Sequence, residues 1–498
     1  MHNCQQAQVK KNRFSVTFTL FVFAALIFVL NQGKSYAFTN DPGSLYQPRF
    51  VAGFSGNSDE RDLDLYPSIA FDRSAKRFLT VWLSPRHAGS STSGFDVYGI
   101  FLGLSGQPIS NAFRISDNNT VARNSLPSVV AGENEFVVAW TKRGSACKVI
   151  VQRVITEYNQ IDTVLVSGTE HIHSPNLTYN PVRQRYVSVY VSGDDYLPPT
   201  FFGAETSDCR NNPSSESHIE AVEFYFQGNT PVISNNLIIS DISQGAFRPT
   251  VAFSEGLNQY LAVWEDRRSI VNEFGFKVYA QLLNGNLALS GSNIPLAAES
   301  NYVDYDSTAT WTPRPVVAGG NAQFQTAWFT REASGNSIIW SVIGRSVLSN
   351  GNPNTPFPIA NMTFVESHVG QSPTGFLSIA YADSIQEYLV GFSSFMESIW
   401  GYLSFVLVQR VNDNDQLLNM DGSLQDEPTV GSSVDFTLDD RISIGIAAHT
   451  SNLPMADYII AYSKHAPNQP STDFDIWGTQ MRIQSASIKN SFLPLIQK

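Results

Sequence analysis

Cysteine, histidine and charge are all scarce in this chain. Of 498 residues, three are cysteine, eight are histidine, and 15% carry charge. So few thiols cannot build a cysteine-rich zinc centre, and neither C-x-x-C nor C-x-x-C-H occurs. H-E-x-x-H, G-x-S-x-G, a Walker loop and G-x-G-x-x-G are also missing, so no familiar metalloprotease, serine hydrolase or nucleotide site is written in the sequence. Basic residues are outnumbered, 32 against 44 acids, for a net charge of −12. That balance argues for solubility and against general nucleic-acid binding. After Leu30 no run is apolar enough to span a bilayer, and no helical periodicity is sustained.

What is present begins with a processing signal. Lys10, Lys11 and Arg13 precede an apolar run from Phe14 to Leu30, and Ser35-Tyr36-Ala37 offers a small-x-small cleavage site. Residues 1–37 are therefore expected to be a signal peptide. The chain is expected to be secreted or periplasmic, with a retained membrane anchor as the alternative. Cleavage would remove four basic residues and no acids, taking the charge from −12 to −16. Cys4 would leave with the leader. Cys147 and Cys209 would remain, a pair suited to a disulfide in an exported protein.

Residues 38–498 read as one repeat domain. An apolar strand, an aromatic-ended strand and a third strand after a polar loop recur seven times from Tyr66 onward. The clearest copies are PSIAF-(x6)-FLTVW at Pro67–Trp82 and PTVAF-(x6)-YLAVW at Pro249–Trp264. The second strands end on Trp82, Trp140, Tyr190, Trp264, Trp328, Phe392 and Tyr462, spaced 50 to 74 residues apart. Such spacing holds a four-stranded unit with variable loops, and the fourth strands are expected to be short, for example NAFRIS at Asn111–Ser116 and NNLIIS at Asn235–Ser240. Alternation of polar with Val, Ile, Tyr and Trp makes the class all-β. The expected architecture is a seven-bladed β-propeller of four-stranded blades. The last unit lacks a clear fourth strand, and the segment 47–54 supplies one, closing the ring. One aromatic per unit at a fixed position reads as packing between blades rather than a sugar platform.

VWEDRRS at Val263–Ser269, followed by KVYAQLLNGNLALSG at Lys277–Gly291, resembles the W-x-D-x-R…Y-x-Q-x-L…G repeats of secreted bacterial propeller proteins. The resemblance implies a propeller and extracytoplasmic residence, and it implies no reaction.

Propeller topology lets the rim be read from sequence, because loops joining second and third strands share a face with loops preceding inner strands. Arginine and histidine gather there. Arg248, Arg267, Arg268, Arg314 and Arg441 are the expected donors, since guanidinium forks bind carboxylate and sulfate bidentately. The partner expected is an anionic polysaccharide or an acidic protein surface, met by a monomeric binding module. The competing reading is that these charges brace their own loops, as Asp266 and Arg268 could. A polysaccharide lyase or glycoside hydrolase on the same face is the enzymatic alternative, with His171 or His173 as base. A structural cell-surface protein is the third. No cofactor is expected. Calcium is the one ion to consider, at Asp59, Asp62 and Asp64 or at Asp413-Asn414-Asp415, although neither run has the EF-hand order.

Overall fold

The computed structural model describes residues 49–52, 64–84, 95–117, 123–143, 147–157, 162–167, 171–193, 217–240, 245–266, 275–297, 303–304, 314–334, 337–365, 376–398, 401–425, 432–437, 443–450, 455–465 and 474–484. Among them every regular element is a strand. The strands form seven antiparallel sheets, each running outward from the channel in simple up-and-down order. Blade 1, for example, takes Leu65–Asp72, Arg77–Ser84, Asp96–Leu102 and Phe113–Arg114. The other inner strands are Arg123–Ala131, Ile172–Asn180, Ala246–Ser254, Val316–Gly319, Leu377–Ala382 and Ile444–Thr450. Each inner strand touches the next, and the seventh touches the first, so the sheets close into a seven-bladed propeller.

Closure uses both ends of the chain. Arg49–Ala52 pairs antiparallel with Phe474–Gln484, with Arg49 opposite Gly478 and Ala52 opposite Ile476. Val51 is buried in that joint, and a Cβ on Gly478 would lie 2.8 Å from its Cγ2. The six-residue spacer of the repeat also has a geometric origin. The turn from first to second strand places Lys76, Asn134, Gln184, Asn258 or Gln386 in the left-handed region, at φ of 49–59°. Only a turn of fixed length keeps the two strands in register around such a residue.

All seven strand-end aromatics, from Trp82 to Tyr462, are buried between blades. Where they carry a donor, the fold uses it. Trp140 Nε1 donates to Asn124 Oδ1 at 3.0 Å, and Trp264 Nε1 donates to Asp266 Oδ2 at 2.8 Å. A second set of rings opens the second strands and reaches back to the preceding blade. Tyr186 donates to Glu135 at 2.5 Å, Tyr388 to the Gln323 carbonyl at 3.0 Å, and Tyr458 to the Glu387 carbonyl at 3.1 Å. Tyr260 accepts from Asn180 Nδ2 at 2.8 Å, and burial pushes its phenol up to about 12.

The outer strands differ most from the sequence reading. The expected strand at Asn111–Ser116 shrinks to Phe113–Arg114, because Ser110 Oγ takes the Phe101 N–H at 2.9 Å and interrupts the ladder. In blade 3 the outer strand begins earlier than Asn235, spanning Thr230–Ile238. In blade 6 the outer edge is split between Leu417–Leu418 and Ser432–Thr437.

His449 lies at the closing seam. It is buried, and its ring stands edge-on to Phe71 of blade 1 at 4.5 Å. Burial holds its imidazole below the usual range. Arg482 and Lys76 add to that, and the facing Asp457 opposes it. The unfolded chain therefore binds this proton at a pH where the folded chain does not, so the contribution is present above about pH 6.5 and is lost as pH falls through the depressed value. Denaturation of wild type and His449→Phe at a series of pH values should show wild type losing stability relative to the variant on acidification. Parallel curves would rule out His449 as a source of acid sensitivity.

Candidate functional site

The channel mouth is built by one sequence position repeated around the ring. Aligned on the inner strands, it holds Tyr66, Leu126, Ser174, Arg248, Arg314, Phe376 and Ser443, and all of them line one cavity of about 290 Å3. In blades 1 to 4 this residue precedes a proline and has a positive φ: 58° at Tyr66, 48° at Leu126, 55° at Ser174 and 51° at Arg248. Proline removes an N–H from the ladder, and the pairing register slips at each of these places. The result is a bulge that re-aims the side chain toward the mouth. Left-handed backbone costs a non-glycine residue on the order of 1–3 kcal/mol, so four copies at one rim mark a place held in shape by its surroundings.

Two positions further along each strand lies a second ring: Ser68, Ser128, Asn176, Thr250, Val316, Ser378 and Gly445. Its polar members link neighbouring blades. The Val129 N–H donates to Ser68 Oγ at 3.3 Å, Leu177 to Ser128 at 3.1 Å, Val251 to Asn176 Oδ1 at 2.9 Å, and Ile446 to Ser378 at 2.9 Å. Thr250 instead donates to the Pro315 carbonyl at 2.9 Å. From blade 7 to blade 1 the approach is backbone on backbone, and a Cβ on Gly445 would stand 2.8 Å from the Pro67 carbonyl oxygen.

The upper ring is chemically uneven. Arg248 and Arg314 stand on adjacent blades. Arg248 Nη1 lies 3.8 Å from Glu265 Oε1, with side-chain exposures of 11% and 1%. Arg314 reaches past blade 4 to the Ser174 and Pro175 carbonyls of blade 3, at 3.4 and 3.5 Å. His173, 1% exposed, lines the same cavity with its Nδ1 3.0 Å from Ser174 Oγ. On the other side Tyr66 and Phe376 meet edge-on across the mouth, ring centres 5.3 Å apart. The Tyr66 N–H donates to Ser443 Oγ at 2.9 Å. The arrangement is a recessed cationic sector with an imidazole beside it, facing an aromatic sector.

The sequence-predicted residues divide accordingly. Arg248 and Arg314 come together at the mouth, while Arg267, Arg268 and Arg441 lie outside the described residues. Of the two histidines, His173 lines the cavity. His171 is buried, and its Nδ1 accepts the Cys147 N–H at 3.2 Å, a role that braces the strand start. His449 sits at the far end of its inner strand against Phe71. Other rim charges turn inward. Lys142 Nζ binds Asp117 and Asp162 at 2.6 and 2.5 Å, and Asp266 holds Trp264. Asp64 is fully buried, and Asp59 and Asp62 fall outside the described residues. Asp415 accepts from Ser346 and Asn354, and Asp413 from Tyr381. Among the described residues no three metal-ligating side chains converge. Cys147 is buried at the head of its strand, and Cys209 is outside the described residues.

Sequence reasoning missed the other five members of the upper ring and the whole lower ring. Their signal was the x-Pro dipeptide ahead of five inner strands, at Tyr66-Pro67, Leu126-Pro127, Ser174-Pro175, Arg248-Pro249 and Arg314-Pro315. Replacing Ser128 by alanine should cost about 1–3 kcal/mol in chemical denaturation, because it strips the partner from the buried Leu177 N–H. A change within about 0.5 kcal/mol would assign that ring no part in holding the blades.

No protein-family model matches the chain, and no curated protein matches it by sequence. Among solved structures it is similar to an α-L-arabinofuranosidase from Fusarium graminearum, with 13% identity and TM-score 0.44, over 70% of this chain and 93% of the other. It is similar to a Trypanosoma rangeli sialidase, with 8% identity and TM-score 0.38, over 76% of this chain and 57% of the other. An endo-arabinase from Bacteroides thetaiotaomicron is similar at 10% identity and TM-score 0.32, over 62% and 96%. These likenesses are too distant to assign a substrate, and the propeller stands on its own seven sheets.

Proposed function

We propose that this chain is an exported carbohydrate-recognising propeller whose channel mouth takes an anionic saccharide. The observation that carries the reading is the pairing of Arg248 and Arg314 on one side of the cavity with Tyr66 and Phe376 on the other. Guanidinium groups recognise carboxylate or sulfate, and aromatic faces pack against the apolar face of a sugar ring. Export rests on residues 1–37 acting as a leader. A Cys147–Cys209 bridge belongs to the same proposal, and two free thiols found by mass spectrometry of the exported, unreduced protein would remove it.

Cleavage of the same glycan, by hydrolysis or elimination, is the second reading. Glycoside hydrolases are prominent among the structures the chain resembles, at a distance that gives that fact no weight. The observation on this chain is His173, which lines the cavity beside both guanidiniums. An imidazole there is suited to take a proton while an arginine neutralises the sugar carboxylate. No carboxylate lines the cavity among the described residues, so the two-carboxylate mechanism finds no pair there.

The test is retention of the exported protein on uronate-containing and sulfated polysaccharides, run with assays for new reducing ends and for the ultraviolet absorbance of unsaturated uronate. Arg248→Gln and Arg314→Gln should each weaken retention by roughly tenfold to a hundredfold, the worth of one charge-assisted hydrogen bond of about 1.5–3 kcal/mol. Product formation lost in His173→Asn with retention intact would establish turnover. Full retention in both arginine variants would reject the channel mouth as the site.

A further inference from the structure

We infer that the channel mouth recognises the charged terminal residue of a glycan rather than an internal stretch of polymer. This inference rests on the anionic-saccharide reading above and adds the mode of engagement. Three observations support it. The cavity is small. At about 290 Å3 it stands at the low end of ligand pockets, which run from roughly 300 to 1,000 Å3 and hold a whole drug-sized molecule. A single pyranose suits it, and a run of several does not.

Most seams between the inner strands that carry the cavity are also bridged. Side-chain bridges at Ser68, Ser128, Asn176 and Ser378 tie one inner strand to the next, and Gly445 closes the seam by backbone contact. A polymer crossing the site sideways needs a gap between inner strands, and at these five seams the strands are tied together.

Finally, the groups that would read charge are recessed. Arg248 has 11% of its side chain exposed and His173 is 1% exposed as a residue. Contacts across the mouth, Tyr66 with Phe376 and Arg314 with the blade 3 carbonyls, narrow the entrance further. A carboxylate on an internal sugar, flanked by two glycosidic bonds, cannot descend to these donors without carrying both neighbours with it. A terminal uronate has one glycosidic bond, which can point out of the well.

The experiment compares ends with mass. The full chain, exported with its own N-terminal segment, is assayed on polygalacturonate, alginate and hyaluronan. Any polymer retained is then partially depolymerised, so that the same mass carries about ten times as many chain ends. Binding per unit mass should rise about tenfold with the ends, free uronic acid of the same sugar should compete, and Arg314→Gln should abolish the rise. Binding that tracks mass regardless of ends, with no competition from the monosaccharide, overturns terminal recognition and leaves the anionic-saccharide reading in place. Retention of none of the polymers and no binding of the monosaccharides removes terminal recognition of a uronate, and the same silence on sulfated polysaccharides removes the anionic-saccharide reading as well.

Discussion

The structure depends on one unavoidable defect of its architecture: each inner strand has a neighbour on one side only. Its other edge faces the channel with backbone N–H and C=O groups unpaired by any strand. Buried backbone groups left in that state are costly, and seven inner strands concentrate the problem around one axis. The side chains of the preceding blade solve it. Ser68, Ser128, Asn176 and Ser378 each present an oxygen to an amide of the next inner strand, and Thr178 does the same one level lower for the Phe253 N–H at 3.1 Å. The same contacts that satisfy the edge also fix the angle between blades. Satisfying the backbone and closing the ring are one event.

The belt is not uniform, and its gaps follow from residue type. Val316 of blade 5 has no oxygen to offer blade 6, and between blades 4 and 5 the link is reversed, Thr250 donating to the Pro315 carbonyl. Gly445 offers no side chain at all, and the strands there approach until a Cβ would collide with Pro67. A second close approach occurs where a Cβ on Gly319 would come within 2.4 Å of the Phe253 carbonyl oxygen. Small residues thus stand where backbone meets backbone, and short polar residues where a bridging atom is needed. Above the belt the proline bulges release the upper-ring side chains from pairing, so that position is free to vary in chemistry without loosening the blades.

That division explains what was legible in sequence. The strand-end aromatics repeat because each fills the same gap between blades, so Trp82 and Trp264 announce the period and with it the fold. The closing strand was legible because the segment 47–54 precedes the first unit and the last unit lacks a clear fourth strand. Outer strands were less so, since their ladders end wherever a hydroxyl such as Ser110 Oγ competes for an amide. At the site, charge drew the eye to Arg248 and Arg314, and the repeat frame placed them on one rim. Charge also drew attention to Asp266 and His171, which turn to structural partners. A residue list cannot separate an arginine that lines a cavity from a lysine held by two aspartates 2.5 and 2.6 Å away. The aromatic half of the ring carries no charge and repeats in no motif, so it emerged only from geometry.

An acidic protein with a cationic recess imposes a selection of its own. The whole chain carries −12, so a densely charged polyanion meets repulsion on average, screened over a Debye length of about 8 Å at physiological ionic strength. Arg248 is mostly withdrawn from that solvent layer and has a buried carboxylate, Glu265, near it. Its attraction is therefore short-ranged and felt only by a group that enters the mouth. Long-range steering and local recognition oppose each other here, which disfavours loose adsorption of polyanions and favours a ligand with one well-placed charge. Raising salt should then relieve the repulsion more than it weakens the recessed contact. Affinity for a small anionic sugar would stay nearly flat with ionic strength, whereas a surface that held polyanions through exposed lysines would lose them steeply.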